Sequence, residues 1–345
     1  MNRVVLSGSA QYRLKSAAML GRTSAEVCLR RLLKGPRSPS WNLAVELGSE
    51  ILKRQLLAAF EMGDVKKARS YLDSLALNSG AASHVTVTNI TLDKFKGSWI
   101  VPRVSRPDLV ILYLHGGGYA FYPKSFYANL AALISVSAKA RLFTLDYRLS
   151  PEHRFPAQLT DAAAAYLWLV NSAVDPSQLV VLGDSAGGNL TLSLLLHLRD
   201  SKLPRPALAV CLSPATDFAS TSIGEVSSGL DWITAEMAMQ WADWFCTPEE
   251  RGNPLVSPIR ADLHDLPPIY LQAGGAEILL PSIEGFADRA RQQGADISLE
   301  VWPEMNHDFQ SFGTDVPQST EAIRRIGEVI STRVPARTGK AAAKL

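Results

Sequence analysis

The stretch Leu179-Val180-Val181-Leu182-Gly183-Asp184-Ser185-Ala186-Gly187-Gly188-Asn189-Leu190 decides how the rest of the chain is read. A short apolar, β-branched run leads into a glycine-flanked corner at Ser185 and then into helix-forming residues, so the segment predicts strand, sharp turn, helix. Gly183, Ser185 and Gly187 form G-x-S-x-G, where glycine is needed because a Cβ beside so tight a corner would collide with the adjoining strand or helix. The serine is thereby held out at the tip, exposed and reactive. The five-residue pattern alone arises by chance in about one chain in ten of this length. Its weight comes from the strand before it, the helix after it and the further glycine at Gly188.

Working outward, strands and helices alternate on both sides of this corner. Leu109 to Leu114, Leu142 to Tyr147, Leu208 to Ser213, Ile269 to Ala273 and Ile297 to Val301 read as strands. Ser125 to Ala138, Leu159 to Val170, Ser282 to Gln293 and Glu321 to Ser331 read as helices. Such alternation means βαβ units and a mostly parallel sheet with helices on both faces, an α/β fold. Val85 to Val101 has the shorter period of an antiparallel edge pair, joined near Lys96-Gly97. Before it, Thr23 to about Leu77 is helical, with Leu43, Leu47, Ile51, Leu52, Leu56 and Leu57 along one stripe, and these helices are expected to precede any strand. Between two of the strands, Thr216 to Leu266 carries Trp232, Trp241, Trp244 and Phe245, far more than a crossover requires, and reads as an inserted lid. The expected organisation is residues 1-80 as N-terminal cap helices, 81-215 and 267-335 as the α/β core, 216-266 as inserted cap helices and 336-345 as a tail.

Composition narrows the chemistry. The chain has 345 residues, 47% of them hydrophobic, which is ample for a large core. A net charge of +2 leaves no basic field for nucleic acid, although Arg3 to Lys34 is locally basic, and a small uncharged substrate is expected. Three cysteines, Cys28, Cys211 and Cys246, lack metal-site or redox spacing and are expected as buried thiols. The apolar patch Val4 to Leu6 is too short and too quickly followed by Ser7, Gly8 and charge to be a secretory segment, and no run is long enough to span a membrane. A cytoplasmic protein is expected. Ala343-Lys344-Leu345 resembles a peroxisomal address, relevant only in a eukaryote.

Two further features bear on catalysis. Directly after the strand Leu109 to Leu114 comes His115-Gly116-Gly117-Gly118-Tyr119, where three glycines leave backbone N–H groups bare to stabilise an oxyanion. The elbow motif pairs such a loop with the N–H of the residue after the nucleophile, here Ala186. His115 is read as an anchor of this loop. Serine needs an imidazole to take its proton. Of His84, His115, His153, His197, His264 and His307, only His307 lies in a loop after the last strand, which suits the chain order serine, acid, histidine.

These residues resemble the hormone-sensitive-lipase-like carboxylesterases of the α/β-hydrolase fold. His115 to Gly118 matches the family's His-Gly-Gly-Gly, Gly183 to Gly188 its Gly-Asp-Ser-Ala-Gly-Gly, and Asp146-Tyr147-Arg148-Leu149-Ser150-Pro151-Glu152 its Asp-Tyr-Arg-Leu-Ala-Pro-Glu, within a match running from about Ser98 to Phe312. The resemblance implies Ser185 as nucleophile, His307 as base, an oxyanion hole from the N–H groups of Gly117, Gly118 and Ala186, and a two-part cap. The chain departs from the family at the acid: Ala276 stands at one common acid position, leaving Glu277 as the candidate.

Asp217 competes with Glu277, since each follows a buried strand and lies between Ser185 and His307, although Asp217 also suits a turn or helix cap. Asp308 would have to fold back beside its own backbone to reach the Nδ1 atom of His307, and a helix carries Glu284 and Asp288 away. The expected function is that of a cofactor-free, metal-free serine carboxylesterase acting on small, uncharged, short-acyl esters through an acyl-enzyme. The alternatives are a lactonase, amidase or thioesterase with the same triad, or a non-catalytic ligand receptor on the same fold. The expected partner is the small-molecule ester, with no nucleic acid and no membrane span, and with a homodimer left open.

Overall fold

The computed structural model describes residues 3–78, 80–121, 124–219 and 229–337. Its centre is an eight-stranded sheet. In chain order the first strands are β1 (Arg3–Leu6) and β2 (Leu75–Asn78), which pair only with each other, antiparallel. The large sheet is built from β3 (Val85–Thr91), β4 (Lys96–Pro102), β5 (Arg106–Leu114), β6 (Ala140–Asp146), β7 (Leu179–Asp184), β8 (Leu208–Leu212), β9 (Ile269–Gly274) and β10 (Ile297–Trp302), in the spatial order β10-β9-β8-β7-β5-β6-β4-β3. From β10 to β6 every pairing is parallel, and β4 and β3 close one edge antiparallel.

The central strands are apolar along their whole length because both faces are covered. In β5 the side chains of Val110, Leu112 and Leu114 pack on one face with α5 (Ala157–Asn171) and α6 (Ala186–Asp200). Their neighbours Leu109, Ile111 and Tyr113 pack on the other with α4 (Lys124–Ala138) and α9 (Pro317–Arg333). The two-residue alternation of a strand therefore feeds two cores at once. At about 1.5–3 kcal/mol for each large apolar side chain buried, this double-sided core dominates what holds the sheet.

Three helices precede the large sheet: α1 (Ala10–Lys34), α2 (Leu43–Phe60) and α3 (Val65–Leu72). Their starts are capped by Ser9, Asn42 and Asp64, whose side chains accept from backbone N–H groups of the first turn. Glu46 of α2 is 2% exposed and accepts from Arg30 and Arg31 of α1, so the pair is tied by a charged contact that would be costly to leave half-made. Arg69 of α3 forms a fork with Glu152, at 2.7 and 2.9 Å, and also donates to the carbonyls of Ala120 and Ser150. That fork fixes the N-terminal helices onto the loops that leave β5 and β6.

Several local expectations change. The helices do not precede every strand: Val4 to Leu6 lies in β1 and Leu77 in β2. The edge hairpin turns at Leu92 to Phe95, and Lys96-Gly97 already belongs to β4. Trp232 lies outside the insert's helix α7 (Ala235–Phe245), although Trp241, Trp244 and Phe245 lie within it. Cys28 is exposed on α1 whereas Cys211 and Cys246 are buried, where burial pushes the Cys246 thiol up to about 11. No described helix is long and apolar enough to cross a membrane. Ala343-Lys344-Leu345 lies outside the described residues.

Candidate active site

Ser185 occupies the corner between β7 and α6 with φ +52° and ψ −117°. A non-glycine residue in such a conformation costs about 1–3 kcal/mol and persists only where its surroundings over-determine it. Here the Ser185 N–H donates to the Leu212 carbonyl of β8 at 2.8 Å, and its own carbonyl accepts from Asn189 and Ala215. The flanking glycines leave no choice of side chain. A Cβ on Gly187 would lie 2.0 Å from the Leu114 carbonyl oxygen, and one on Gly183 would lie 2.2 Å from that of Gly187. Ser185 is partly exposed, while the strand before it and Ala186 after it are buried.

The loop after β5 lies against this corner. Gly117 and Gly118 have positive φ, +96° and +61°, and added Cβ atoms would come within 2.1 Å of the Phe121 carbonyl and 2.4 Å of the Trp241 ring. Among the described residues, no protein acceptor takes the N–H groups of Gly117, Gly118 or Ala186. They are backbone donors left without a protein partner beside the serine corner.

His115 is held as an anchor. Its ring stacks on Tyr147 at 4.0 Å and 6°, its Nδ1 is 2.7 Å from the Gly116 carbonyl, and Tyr147 donates its hydroxyl to the His115 carbonyl at 2.7 Å. The Asp146 to Glu152 motif thus has structural tasks: Tyr147 braces the glycine loop, Arg148 pairs with Asp161 at 2.8 Å and Glu152 receives Arg69. Asp184 receives the Tyr113 hydroxyl at 2.5 Å, and burial, with the nearby Asp308 carboxylate, pushes its pKa well above the ordinary carboxylate range.

Glu277 follows β9 and His307 follows β10, so the parallel register of these neighbouring strands brings the two loops together. The Nδ1 atom of His307 is 3.6 Å from Glu277 Oε2, and both side chains are fully buried. Burial raises the Glu277 carboxyl above its ordinary value, opposed by His307 and Ser213. Asp217 is elsewhere: it accepts from the Ala219 N–H at 2.9 Å and lies 3.6 Å from Arg260, as a turn residue would. Glu284 and Asp288 are exposed on α8 (Leu280–Gln292).

Asp308 does not face Nδ1, which is turned to Glu277. A left-handed backbone, φ +49° and ψ +36°, swings its carboxylate to the other ring nitrogen, 3.3 Å from His307 Nε2. Burial works against a charged His307, but Asp308 and Glu277 outweigh it and hold the imidazole well above its ordinary pKa.

Residues the sequence did not single out complete the site. Asp231, 4% exposed, accepts from the N–H groups of Trp232, Ile278 and His307, and burial raises its pKa. Ser213 Oγ accepts from the Asp308 N–H at 3.2 Å. No spacing rule could have found either, because each acts on backbone groups far along the chain.

A cavity of about 70 Å³ opens beside Gly117. Its walls are apolar, from Leu52 and Leu56 of α2, Phe121 and Tyr127 near the glycine loop, and Trp232 and Trp241 of the insert. Trp244 instead stacks on Phe60, and Phe245 on Tyr119. Of the four insert aromatics, two therefore face the cavity and two face the protein's own core.

A family model described as alpha/beta hydrolase fold matches residues 111–311. An acetyl-hydrolase of Streptomyces hygroscopicus is 32% identical over 70% of this chain and 82% of its own length. A crystal structure of an esterase from the bacterial hormone-sensitive lipase family, 32% identical, superposes with a TM-score of 0.72 over 92% of this chain and 98% of that one. The chain belongs to the hormone-sensitive-lipase-like carboxylesterases of the α/β-hydrolase fold. An ethyl acetate hydrolase of Pseudomonas putida is a further relative, 26% identical over 83% of this chain and 95% of its own. In this family's terms the order of β3 to β10 is the hydrolase sheet, with the elbow at the C-terminal end of β7.

Proposed function

We propose that this carboxylesterase hydrolyses small, uncharged, short-acyl esters, with Ser185 as nucleophile, His307 as general base, Glu277 as the acid that orients it, and the N–H groups of Gly117, Gly118 and Ala186 as the oxyanion hole. The observation that supports the reading is that Glu277 and His307 face each other on neighbouring loops, and that Ser213, next to the Leu212 carbonyl that holds Ser185, ties the histidine loop to the end of β8. The reading then has a strained serine, three free N–H donors, and a buried histidine whose Nδ1 faces a carboxylate.

The chemistry follows from those groups. Ser185 Oγ adds to the ester carbonyl as His307 Nε2 takes its proton, and the three N–H groups hold the resulting oxyanion. His307 then gives the proton to the departing alkoxide, leaving an acyl-serine and a free alcohol. Water, deprotonated by the same imidazole, attacks the acyl-serine and releases the acid. Glu277 stays ionised throughout, holding the tautomer with its proton on Nδ1 and stabilising the imidazolium when it forms.

Acyl length is argued from the cavity. Its roughly 70 Å³ is far below the several hundred Å³ of pockets that hold drug-sized ligands. Leu52, Gln55, Leu75 and Phe126 line both it and a larger hollow of about 460 Å³ against the N-terminal helices. Helices α1 to α3 and the insert act as the cap, the former closing the far end and the latter supplying Trp232 and Trp241 as walls. The names of the acetyl-hydrolase and the ethyl acetate hydrolase point to the same substrate size.

A p-nitrophenyl ester series tests this. kcat/KM should be highest for acyl groups of up to about six carbons and fall with longer chains. A steady rise from acetate to palmitate would contradict the short-acyl assignment, and preferential turnover of lactones, amides or thioesters would move the enzyme to another class with the same site.

A further inference from the structure

Two neighbouring residues of the insert grip the loops that carry both partners of Ser185. One Asp231 carboxylate oxygen accepts from its neighbour Trp232 at 2.8 Å and from the His307 N–H at 3.1 Å. The other oxygen accepts from Ile278 at 2.8 Å, the residue directly after Glu277. On the other side of the same residue, Trp232 Nε1 donates to the His307 carbonyl at 2.7 Å, and its ring meets the imidazole edge-on at 5.4 Å and 65°. His307 is thus held at its N–H by Asp231 and at its C=O by Trp232. The carboxylate that holds it also reaches the acid's loop.

We infer that Asp231 and Trp232 form a positioning clamp through which the insert sets the separation of Glu277 and His307, so that seating an ester under the insert and aligning the base are one event. The inference rests on the triad reading above and goes beyond it, since neither residue touches the reacting atoms through this contact. Charge makes the clamp specific. Hydrogen bonds to an ionised acceptor are roughly twice as strong as neutral ones, and a carboxylate alone can accept from all three N–H groups; an amide would turn an NH₂ toward one of them.

Trp232 adds the link to substrate. The same indole that donates to His307 forms a wall of the cavity beside Gly117, together with Trp241. An acyl group packed against it presses on the residue that fixes the base. The loop is also braced from the N-terminal side, where Trp41 Nε1 donates to the Glu304 carbonyl at 2.8 Å and Asn306 donates to Ser49 at 2.5 Å. The His307 loop therefore lies between two parts of the cap.

The test compares Asp231→Asn and Trp232→Phe with wild type in the full-length enzyme, using p-nitrophenyl acetate turnover and the rate of covalent inactivation by diethyl p-nitrophenyl phosphate. Asp231→Asn should lower kcat at least about tenfold with KM within about threefold, and slow inactivation in proportion, because the base is misaligned while the pocket is kept. Trp232→Phe keeps the ring and loses the donor, and should lower kcat by a smaller factor, about threefold or more. If Asp231→Asn does not fold, judged by far-ultraviolet circular dichroism and thermal melting, Trp232→Phe decides alone. Folded variants with wild-type kcat and inactivation rate would overturn the clamp, as would a change confined to KM. Glu277→Gln, measured alongside, separates the two readings: a large loss there with wild-type clamp variants refutes the clamp and leaves the triad standing.

Discussion

Ser185 and His307 are fixed in opposite ways. The serine is held almost entirely by main chain: its N–H and carbonyl are bonded to neighbouring backbone, and Gly183 and Gly187 let strand and helix approach until a Cβ would overlap a carbonyl oxygen. The histidine loop also has a main-chain tie, the Ala276 N–H to the Met305 carbonyl at 2.8 Å, but at His307 and around it the holding is mostly by side chains from distant segments, Asp231 and Trp232 of the insert, Ser213 after β8, and Trp41 and Ser49 of the N-terminal region. Main-chain crowding gives a rigid corner that tolerates no substitution. A loop held by side chains can be adjusted one bond at a time, and in the reading proposed above it is the part of the site that the insert and the N-terminal helices reach.

The contrast is broken most severely at Gly187. Gly187→Ala forces a Cβ to 2.0 Å from the Leu114 carbonyl and 2.5 Å from that of His115. Strand and helix must separate, and we expect loss of folded protein or a fall in kcat/KM of more than about a thousandfold. Thermal melting with ester turnover checks this, and a well-folded, active Gly187→Ala would show that the corner is looser than described. At the acid, Glu277→Gln keeps the shape but removes the charge that stabilises the imidazolium. We expect kcat to fall at least about a hundredfold with KM little changed, while Asp217→Asn stays near wild type. The reverse result would move the acid to the loop after β8.

Asp308 sharpens the comparison through pH. His307 must be neutral at Nε2 to accept the serine proton, and the carboxylates of Asp308 and Glu277 hold its pKa above the ordinary value despite burial. The buried carboxyls of Asp231 and Asp184 also lie near His307, and burial raises their own pKa values. A raised pKa keeps the imidazole charged, hence inactive, to higher pH. The acid limb of kcat/KM should therefore lie above about pH 6.5, the unperturbed histidine value. Asp308→Asn removes the charge at Nε2 and should move that limb to lower pH. A limb that does not move, or moves upward, would mean that Asp308 does not face the working base.

The difference between the two loops also explains what could be read from the sequence. The elbow, the glycine loop and the alternation of strands and helices along the chain are local: each requirement falls on residues within a few positions of one another, so glycine spacing and apolar runs reveal them. Glu277 and His307 were singled out by their positions after strands, but what holds their loops was not. Asp231 serves N–H groups of Ile278 and His307, far along the chain, and nothing in the local pattern of the insert marks it. Asp308 was weighed only against Nδ1, and the left-handed backbone that sends it to Nε2 has no glycine to announce it. The pairing of β1 with β2 was missed because four-residue strands separated by three helices show no period. Cys28 was placed inside by the general habit of thiols, whereas its side of α1 faces solvent.

The central claim, that Ser185 is the nucleophile served by His307, is tested most directly by mapping a covalent mark. Inactivating the enzyme with diethyl p-nitrophenyl phosphate should release one p-nitrophenol per active chain, and mass spectrometry of the digested protein should place the diethylphosphoryl group on the peptide carrying Ser185. Labelling should be abolished in Ser185→Ala and strongly slowed in His307→Asn. A mark on another residue, or Ser185→Ala with turnover within about tenfold of wild type, would contradict the account.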